Sequence, residues 1–371
     1  MKGLELAKQY YFDCVKPVLN EKVPQIKEKY AAALLGYGSD VIGNDDEWSR
    51  DHEWGPRCHV FLSEELFAEH ASVLDTALSE NLPFEYAGFP TRFEFAEYFG
   101  MIPAKNISGR HHVVITTPER FLELTMGITG VPEHDRDWLA ISEQRLLEFT
   151  AGEVFEDYTG ELTKLRTKMG YFPDNVRLYK IAFILESLGW EDDCISLCGA
   201  RGDDISMHLN TAKTVERLMK LIFLLNRKYM PLSPKWLHRE LKKLPHTAGD
   251  METELKNMLE VKNHEQKTRI LNSIYKKFLA TMKEHSLCEM HPAECKRNVS
   301  GLTYDIQSSA RDVLAKVQGE LREYTLDGCA LGAIDQWMYN EAIITSAEHM
   351  KALVPVYNAK PPLRTNLELM I

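Results

Sequence analysis

The chain has 371 residues, 44% hydrophobic and 27% charged, a globular balance with length enough for two or three domains. Its formal net charge of -11, from 44 basic and 55 acidic residues, argues against the broad basic footprint that nucleic-acid binding needs. No apolar run approaches the roughly 20 residues of a membrane span, and 7 cysteines without framework spacing, with no signal peptide recognisable, predict a reduced, cytoplasmic protein.

Residues 3–28 read as helix, interrupted at Pro17 and Pro24. "YAAALLGYGS" is apolar, short and closed by glycines, which predicts a buried strand feeding a turn. "CHVFLSEELFAEHASVLDTALSENL" predicts a strand over 58–62, then a helix with Ser63 as N-cap and Glu64 and Glu65 in its first turn. "FEYAGFPTRFEF" alternates around a Gly and a Pro, and "HHVVITTPERFLEL" reads as a β-branched strand entering a helix. That alternation sends His111 and His112 to opposite sides of a strand.

After Gly130 the pattern turns helical. "DWLAISEQRLLEFTAGEVFED", "NVRLYKIAFILESLGW", "DDISMHLNTAKTVERLMKLIFLLNRKY" and "METELKNMLEVKNHEQKTRILNSIYKKFLATMKEHS" carry apolar residues at three- and four-residue spacing. The expected architecture is α+β: an α/β head over 1–130, a helical bundle over 131–245 and a mostly helical region over 246–371. Cys194 and Cys198 lie on an apolar helical face and read as core.

One stretch, "GYGSDVIGNDDEWSRDHEWGPR" (36–57), has almost nothing to bury. Gly38 and Ser39 at a strand end let backbone N–H groups and a hydroxyl approach a phosphate closely. Asp51 and Glu53, one residue apart on an extended segment, point the same way. Their repulsion is relieved by a divalent cation, and Mg²⁺ (or Mn²⁺) takes one or two carboxylates together with substrate phosphates. Arg50 and Arg57 are placed to neutralise phosphate charge. The bland alternative is an acidic, solvated loop.

The pattern of Gly-Ser, a spacer and Asp-x-Glu resembles the nucleotidyltransferase head of the DNA polymerase β superfamily, and the longer string is similar to a bacterial DUF4037-type family. The resemblance continues in "DWLAISEQRLLEFTAGEVFEDYTGELTKLR", "YFPDNVRLYKIA", "LIFLLNRKYMPLSPKW" and "LGAIDQW", roughly over 30–340. It implies a small mixed sheet flanked by helices, followed by a helical bundle as in aminoglycoside nucleotidyltransferases. It further implies an NTP co-substrate, ATP before others, bound between head and bundle with its metal ion, and a hydroxyl-bearing acceptor. The superfamily's third carboxylate falls to Glu94, with Asp45 or Asp46 as stand-ins from the loop. A base from the helical part falls to Asp157, set beside Glu153 and Glu156; Glu153 and Asp157 are expected at i, i+4 on one helical face. Lys180, Tyr229 and Lys235, with Lys228, are the triphosphate-holding candidates, and Asp335 and Trp337 the cleft candidates.

Two departures matter. The third carboxylate is poorly marked, and Gly55-Pro56 interrupts regular pairing just after the acidic pair, which puts Asp51 and Glu53 at a loop edge. The alternative functions are therefore a nucleotide-binding regulatory module without catalysis and an adenylylating, antitoxin-like partner protein. His285, Cys288, His291 and Cys295 offer zinc-type ligands, but not at a recognised finger spacing.

Overall fold

A computed structural model describes the chain apart from residues 52, 98–99, 105–108, 246–247, 294–303, 327 and 359–371. It is α+β and divides into two compact units. Unit 1 comprises 1–131, 144–170 and 345–351; unit 2 comprises 132–143, 171–344 and 352–371. Among the described residues no helix is long and apolar enough to cross a membrane.

Unit 1 opens with α1 (Gly3–Tyr10) and α2 (Lys16–Lys22), joined by a π-helical turn over Tyr11–Val15. The wide turn carries the chain into Pro17, which sits in the first turn of α2, where its missing N–H costs least. β1 (Ala31–Leu34) follows and is buried along its whole length. Next come β2 (Cys58–Phe61), α3 (Glu64–Asn81), the short hairpin β3 (Glu85–Tyr86) and β4 (Phe89–Pro90), and β5 (Arg92–Ala96). The unit's next elements are β6 (Gly100–Pro103), β7 (Arg110–His111), β8 (Val113–Thr116) and α4 (Pro118–Met126). Ser63 caps α3 and Thr117 caps α4, each accepting a backbone N–H.

The principal sheet has four strands in the order β8-β2-β1-β9, where β9 is Glu153–Asp157. β2 pairs antiparallel with β1 and parallel with β8, so the sheet is mixed. The long α3 lies in the connection between β2 and β8, as a parallel crossover requires. Tyr10, Tyr11, Leu19, Val60, Leu74, Leu78 and Val113 form the core on the helix-covered face. A second sheet, order β6-β5-β7, carries β5 in its middle.

The segment 153–157 corrects the helical reading. It is a strand, antiparallel to β1 with a bulge opposite Ala32–Ala33. Gly152 at φ +69 ends the preceding helix, α6 (Glu143–Thr150), and a Cβ there would stand 2.1 Å from Leu34 O. The close approach to β1 imposes the strand, and Glu153 and Asp157 do not share a helical face. α7 (Glu161–Lys168) follows.

Unit 2 begins with α5 (Asp135–Leu139) and is dominated by α8 (Asp174–Ala200) and α9 (Asp204–Leu225). α10 (Pro234–Leu241), α11 (Ala248–Glu260), α12 (His264–Glu284) and α13 (Ile306–Ala315) complete its main helices. Shorter pieces follow: α14 (Glu320–Glu323), the hairpin β10 (Thr325–Leu326) and β11 (Cys329–Ala330), α15 (Ile334–Trp337) and α16 (Glu341–Ile344). A last helix, α17, spans Ala347–Asn358. On α8, Leu188 and Ile195 are buried while Cys194 is exposed and Cys198 half-buried. The core reading of this cysteine pair is corrected, since Cys194 stands one helical step round from the buried Ile195.

Candidate functional site

β1 ends in a turn whose glycines take conformations closed to other residues: φ is +86 at Gly36 and +143 at Gly38. Arg57, at the entry to β2, reaches this turn. Its Nη2 donates to Asp40 Oδ1 at 2.7 Å and to Tyr37 O at 3.0 Å, and both charged side chains are almost fully buried. A Cβ on Gly38 would meet Arg57 Nη2 at 2.2 Å, Asp40 Oδ1 at 2.4 Å and Glu53 O at 3.2 Å. The glycine turn and the acidic segment are therefore in direct contact.

The chain around Glu53 is a loop, not a strand, and Glu53 itself has φ +47. The extended backbone expected for Asp51 and Glu53 is thus broken at the second of them, and Gly55 and Pro56 follow before β2 begins. Glu53 is docked against β6: its N–H donates to Met101 O at 2.8 Å and Met101 N–H donates to its Oε1 at 3.0 Å. Its Oε2 stands 3.8 Å from Arg57 Nη1 and 3.5 Å from His112 Nε2. Asp51 is exposed. Both carboxylates bear on Tyr37: burial pushes this phenol above its ordinary value, and the charges of Glu148, Glu53 and Asp51 push the same way against Arg145.

Much of the acidic loop is consumed in holding itself. Asp45 accepts Gly3 N–H at 2.7 Å and the Trp54 indole N–H at 3.1 Å, and pairs with Lys2 at 3.0 Å. Asp46 caps the short turn at Glu47–Ser49 through Trp48 N–H. Ser39 Oγ donates to Ser49 O at 2.5 Å, tying loop to turn. Arg50 lies over the Trp54 ring and donates to Met1 O at 3.3 Å. The sequence pattern flagged Gly38, Ser39, Arg50, Asp51, Glu53 and Arg57, and these do gather around one loop and turn. Asp40, Tyr37 and His112 complete the cluster; Asp40 directly follows Gly38-Ser39, and an acid there is the one signal that could have exposed it.

The remaining candidates lie elsewhere. Glu94 is on β5, paired with Ile102 in the three-stranded sheet, not on a strand of the principal sheet. Asp157, at the end of β9, accepts Gly160 and Thr163 N–H at 2.8 Å each and so caps the start of α7. Glu153 pairs with Lys8, and Glu156 with Lys16 and the Tyr11 hydroxyl. Lys180 is sealed inside unit 2, its Nζ 2.8 Å from both Glu143 Oε1 and Asp335 Oδ1. Those carboxylates hold its ammonium above the ordinary lysine range against the pull of burial. Tyr229 is buried against Phe172 and Tyr171, and its phenol is pushed up by burial and by Glu143. Lys228 is exposed, and Lys235 lies over the Trp236 ring. Of the zinc-type set, Cys288 is buried and His291 Nε2 is 2.7 Å from Asp312, while Cys295 lies outside the described residues.

Among the described residues no three His, Cys, Asp or Glu side chains group as a metal site. The turn-and-loop cluster fits only a cation that brings most of its own ligands. Mg²⁺ carrying waters and phosphates is of that kind. Glu53 Oε2 faces Arg57 Nη1 and His112 Nε2, and Asp51 is exposed; these two carboxylates are the ones that would hold such a cation.

Comparison with known proteins bears on the helical part. Residues 138–237 match the model of the family described as "Domain of unknown function (DUF4037)". Among solved structures, the chain is similar to a nucleotidyltransferase-like protein from Exiguobacterium sibiricum 255-15, with 8% identity, 76% of this chain and 78% of that one covered, and a TM-score of 0.33. No curated protein matches. The matched span excludes the Gly36–Arg57 stretch but includes "WLAISEQRLLEFTAGEVFED" and "NRKYMPLSPKW". Residues 138–237 are thus similar to the family that the sequence resembles.

Proposed function

We propose that this protein binds a nucleoside triphosphate as its complex with Mg²⁺ or Mn²⁺ and transfers the nucleotidyl group to a hydroxyl of a small molecule or protein. The observation that supports this most is the contact of the Gly38 turn with Glu53 and Arg57. It sets a glycine turn able to take phosphate beside carboxylates able to take the accompanying cation. Gly38 and Ser39 hold the β- and γ-phosphates. Asp51 and Glu53 face the cation, whose chemistry is to polarise phosphoryl oxygens and align the attacking hydroxyl. Arg57 is committed to Asp40 and Tyr37 O, so its part is to fix the turn while its charge offsets phosphate. The acceptor oxygen attacks the α-phosphorus, the bond from that phosphorus to the bridging oxygen breaks, and pyrophosphate leaves.

A second reading is a nucleotide-binding module without transfer. It is favoured by the place of Glu94 in a separate sheet, away from the strands that frame the turn. One experiment divides the readings: full-length protein with labelled NTPs, Mg²⁺ or Mn²⁺ and a metabolite pool. Label on a small acceptor supports the enzyme, label on protein supports a partner-modifying activity, and binding without transfer supports the module. In the first two cases Asp51→Asn and Glu53→Gln are each expected to lower transfer at least about 100-fold. No NTP binding by the wild type overturns the proposal.

A further inference from the structure

The most exposed large apolar side chain among the described residues stands on the acidic loop: Trp48 is 90% exposed. A single exposed apolar residue is ordinary on any surface. The backbone beneath this one is not. Asp46 Oδ1 accepts Trp48 N–H at 3.1 Å, and Ser49 N–H donates to Asp46 O at 3.0 Å, so Trp48 occupies the middle of a closed turn. Next to it Ser49 is buried, and its carbonyl accepts Ser39 Oγ at 2.5 Å. Asn44 N–H donates to Ser39 O at 2.7 Å, which ties the loop to the same serine from its other end. Beyond Ser49, Arg50 lies over the ring of the buried Trp54. The residues on both sides of Trp48 are thus fixed, and the backbone cannot carry the indole inward without breaking these contacts.

Position and charge limit what such a ring can take. Trp48 follows Asp46 and Glu47, and Asp51 lies three residues on. This flank repels an anionic group but not a neutral planar one. The bond from Ser39 Oγ to the next residue's carbonyl places Trp48 Cα within about 9 Å of that hydroxyl, by covalent geometry. With the β- and γ-phosphates at Gly38 and Ser39, an α-phosphate and a ribose bridge a gap of that size and leave the base beside the indole.

We propose that Trp48 is the stacking platform for the nucleobase of the bound nucleotide. This rests on the nucleotide reading above, which places the phosphates at the turn. An aromatic face holds a base without reading its hydrogen bonds, because every base has a π-face. The platform therefore raises affinity for the nucleotide through its base and leaves the grip on the phosphates to the turn.

The test titrates full-length protein calorimetrically with ATP, CTP and inorganic tripolyphosphate, each with Mg²⁺; the last carries phosphates without a base. Trp48→Ala is expected to weaken ATP and CTP at least about tenfold and to leave tripolyphosphate within about twofold of wild type. Trp48→Phe keeps an aromatic face and is expected to hold both nucleotides within about threefold of wild type. Neither substitution removes core packing, since the side chain is exposed. Nucleotide affinities unmoved in Trp48→Ala, a Phe variant as weak as the Ala variant, or a tripolyphosphate loss equal to the nucleotide loss would each overturn the platform and leave the nucleotide reading standing. If tripolyphosphate binds too weakly to measure, the contrast between the Ala and Phe variants decides alone. A wild type that binds neither nucleotide overturns the nucleotide reading and the platform with it.

Discussion

Arg57 and Asp40 set the energetics of the turn. Their side chains are 4% and 0% exposed, so removing one leaves the other charged in the interior. Arg57→Met is expected to cost about 3–5 kcal/mol in urea unfolding, while Arg57→Met combined with Asp40→Leu recovers most of it. A loss under about 1 kcal/mol in the single variant would contradict this account. His59 gives a pH dependence. Burial first, and then the Arg57 charge, push its imidazole down to about 3. Above about pH 6.5 the ring is neutral in both folded and unfolded chains, and its contribution to stability is complete. Below that pH the unfolded chain takes up a proton that the folded one refuses, so stability falls as pH drops toward about 3. By pH 5 the loss is about 2 kcal/mol from this group. Urea midpoints at pH 7.5 and 5.0 measure it, and His59→Phe, set among Phe61 and Phe121, is expected to flatten the difference. What sequence makes legible at this scale is residue type and spacing: Gly-Ser, then Asp-x-Glu, then Arg. The positive φ at Glu53 and the unbonded Nδ1 of His112 arise from contacts with β6 and the core, which no local pattern records.

At the scale of elements, helices and strands with strong caps follow the sequence closely. Ser63 and Thr117 start α3 and α4 where the pattern puts them, because an N-cap is a local interaction. β9 is the instructive failure. "EVFED" adjoins a helical pattern, and only pairing with β1, reached through the Gly152 turn, makes it a strand. α8 carries the other concealed feature. Lys180, Glu143 and Asp335 come from distant parts of the chain and meet in the interior of unit 2, with Glu143 also accepting Met230 N–H at 3.1 Å. A lysine in an apolar run reads equally as surface or as ligand, and its two carboxylates cannot be located from sequence. Lys180→Met leaves two buried carboxylates facing each other without a counter-charge, and the expected cost is about 3–5 kcal/mol. Glu143→Gln in the Lys180→Met background removes one of those charges and is expected to recover part of it, a gain measurable by denaturant titration. A neutral Lys180→Met would mean that the three groups are not coupled.

For the molecule as a whole, the α+β class is legible because strand-rich and helix-rich patterns segregate along the chain. The composition of unit 1 is not, because it is assembled from three separate stretches. β1 is paired on one side by β2 and on the other by β9. A fragment ending at residue 131 therefore lacks one neighbour of the central strand. It is expected to leave β1 amides unprotected in hydrogen exchange, whereas a fragment ending at residue 170 protects them. Equal protection in both fragments would show that β9 is dispensable to the sheet. The separation has a cost during synthesis. The ribosome delivers about 5–20 residues per second, so β1 leaves the tunnel on the order of ten seconds before the strand that covers its second side. Until then a nascent sheet with a bare edge stands beside other polysomal chains, and early-binding chaperones, rather than intrinsic folding speed, would govern the yield of intact protein.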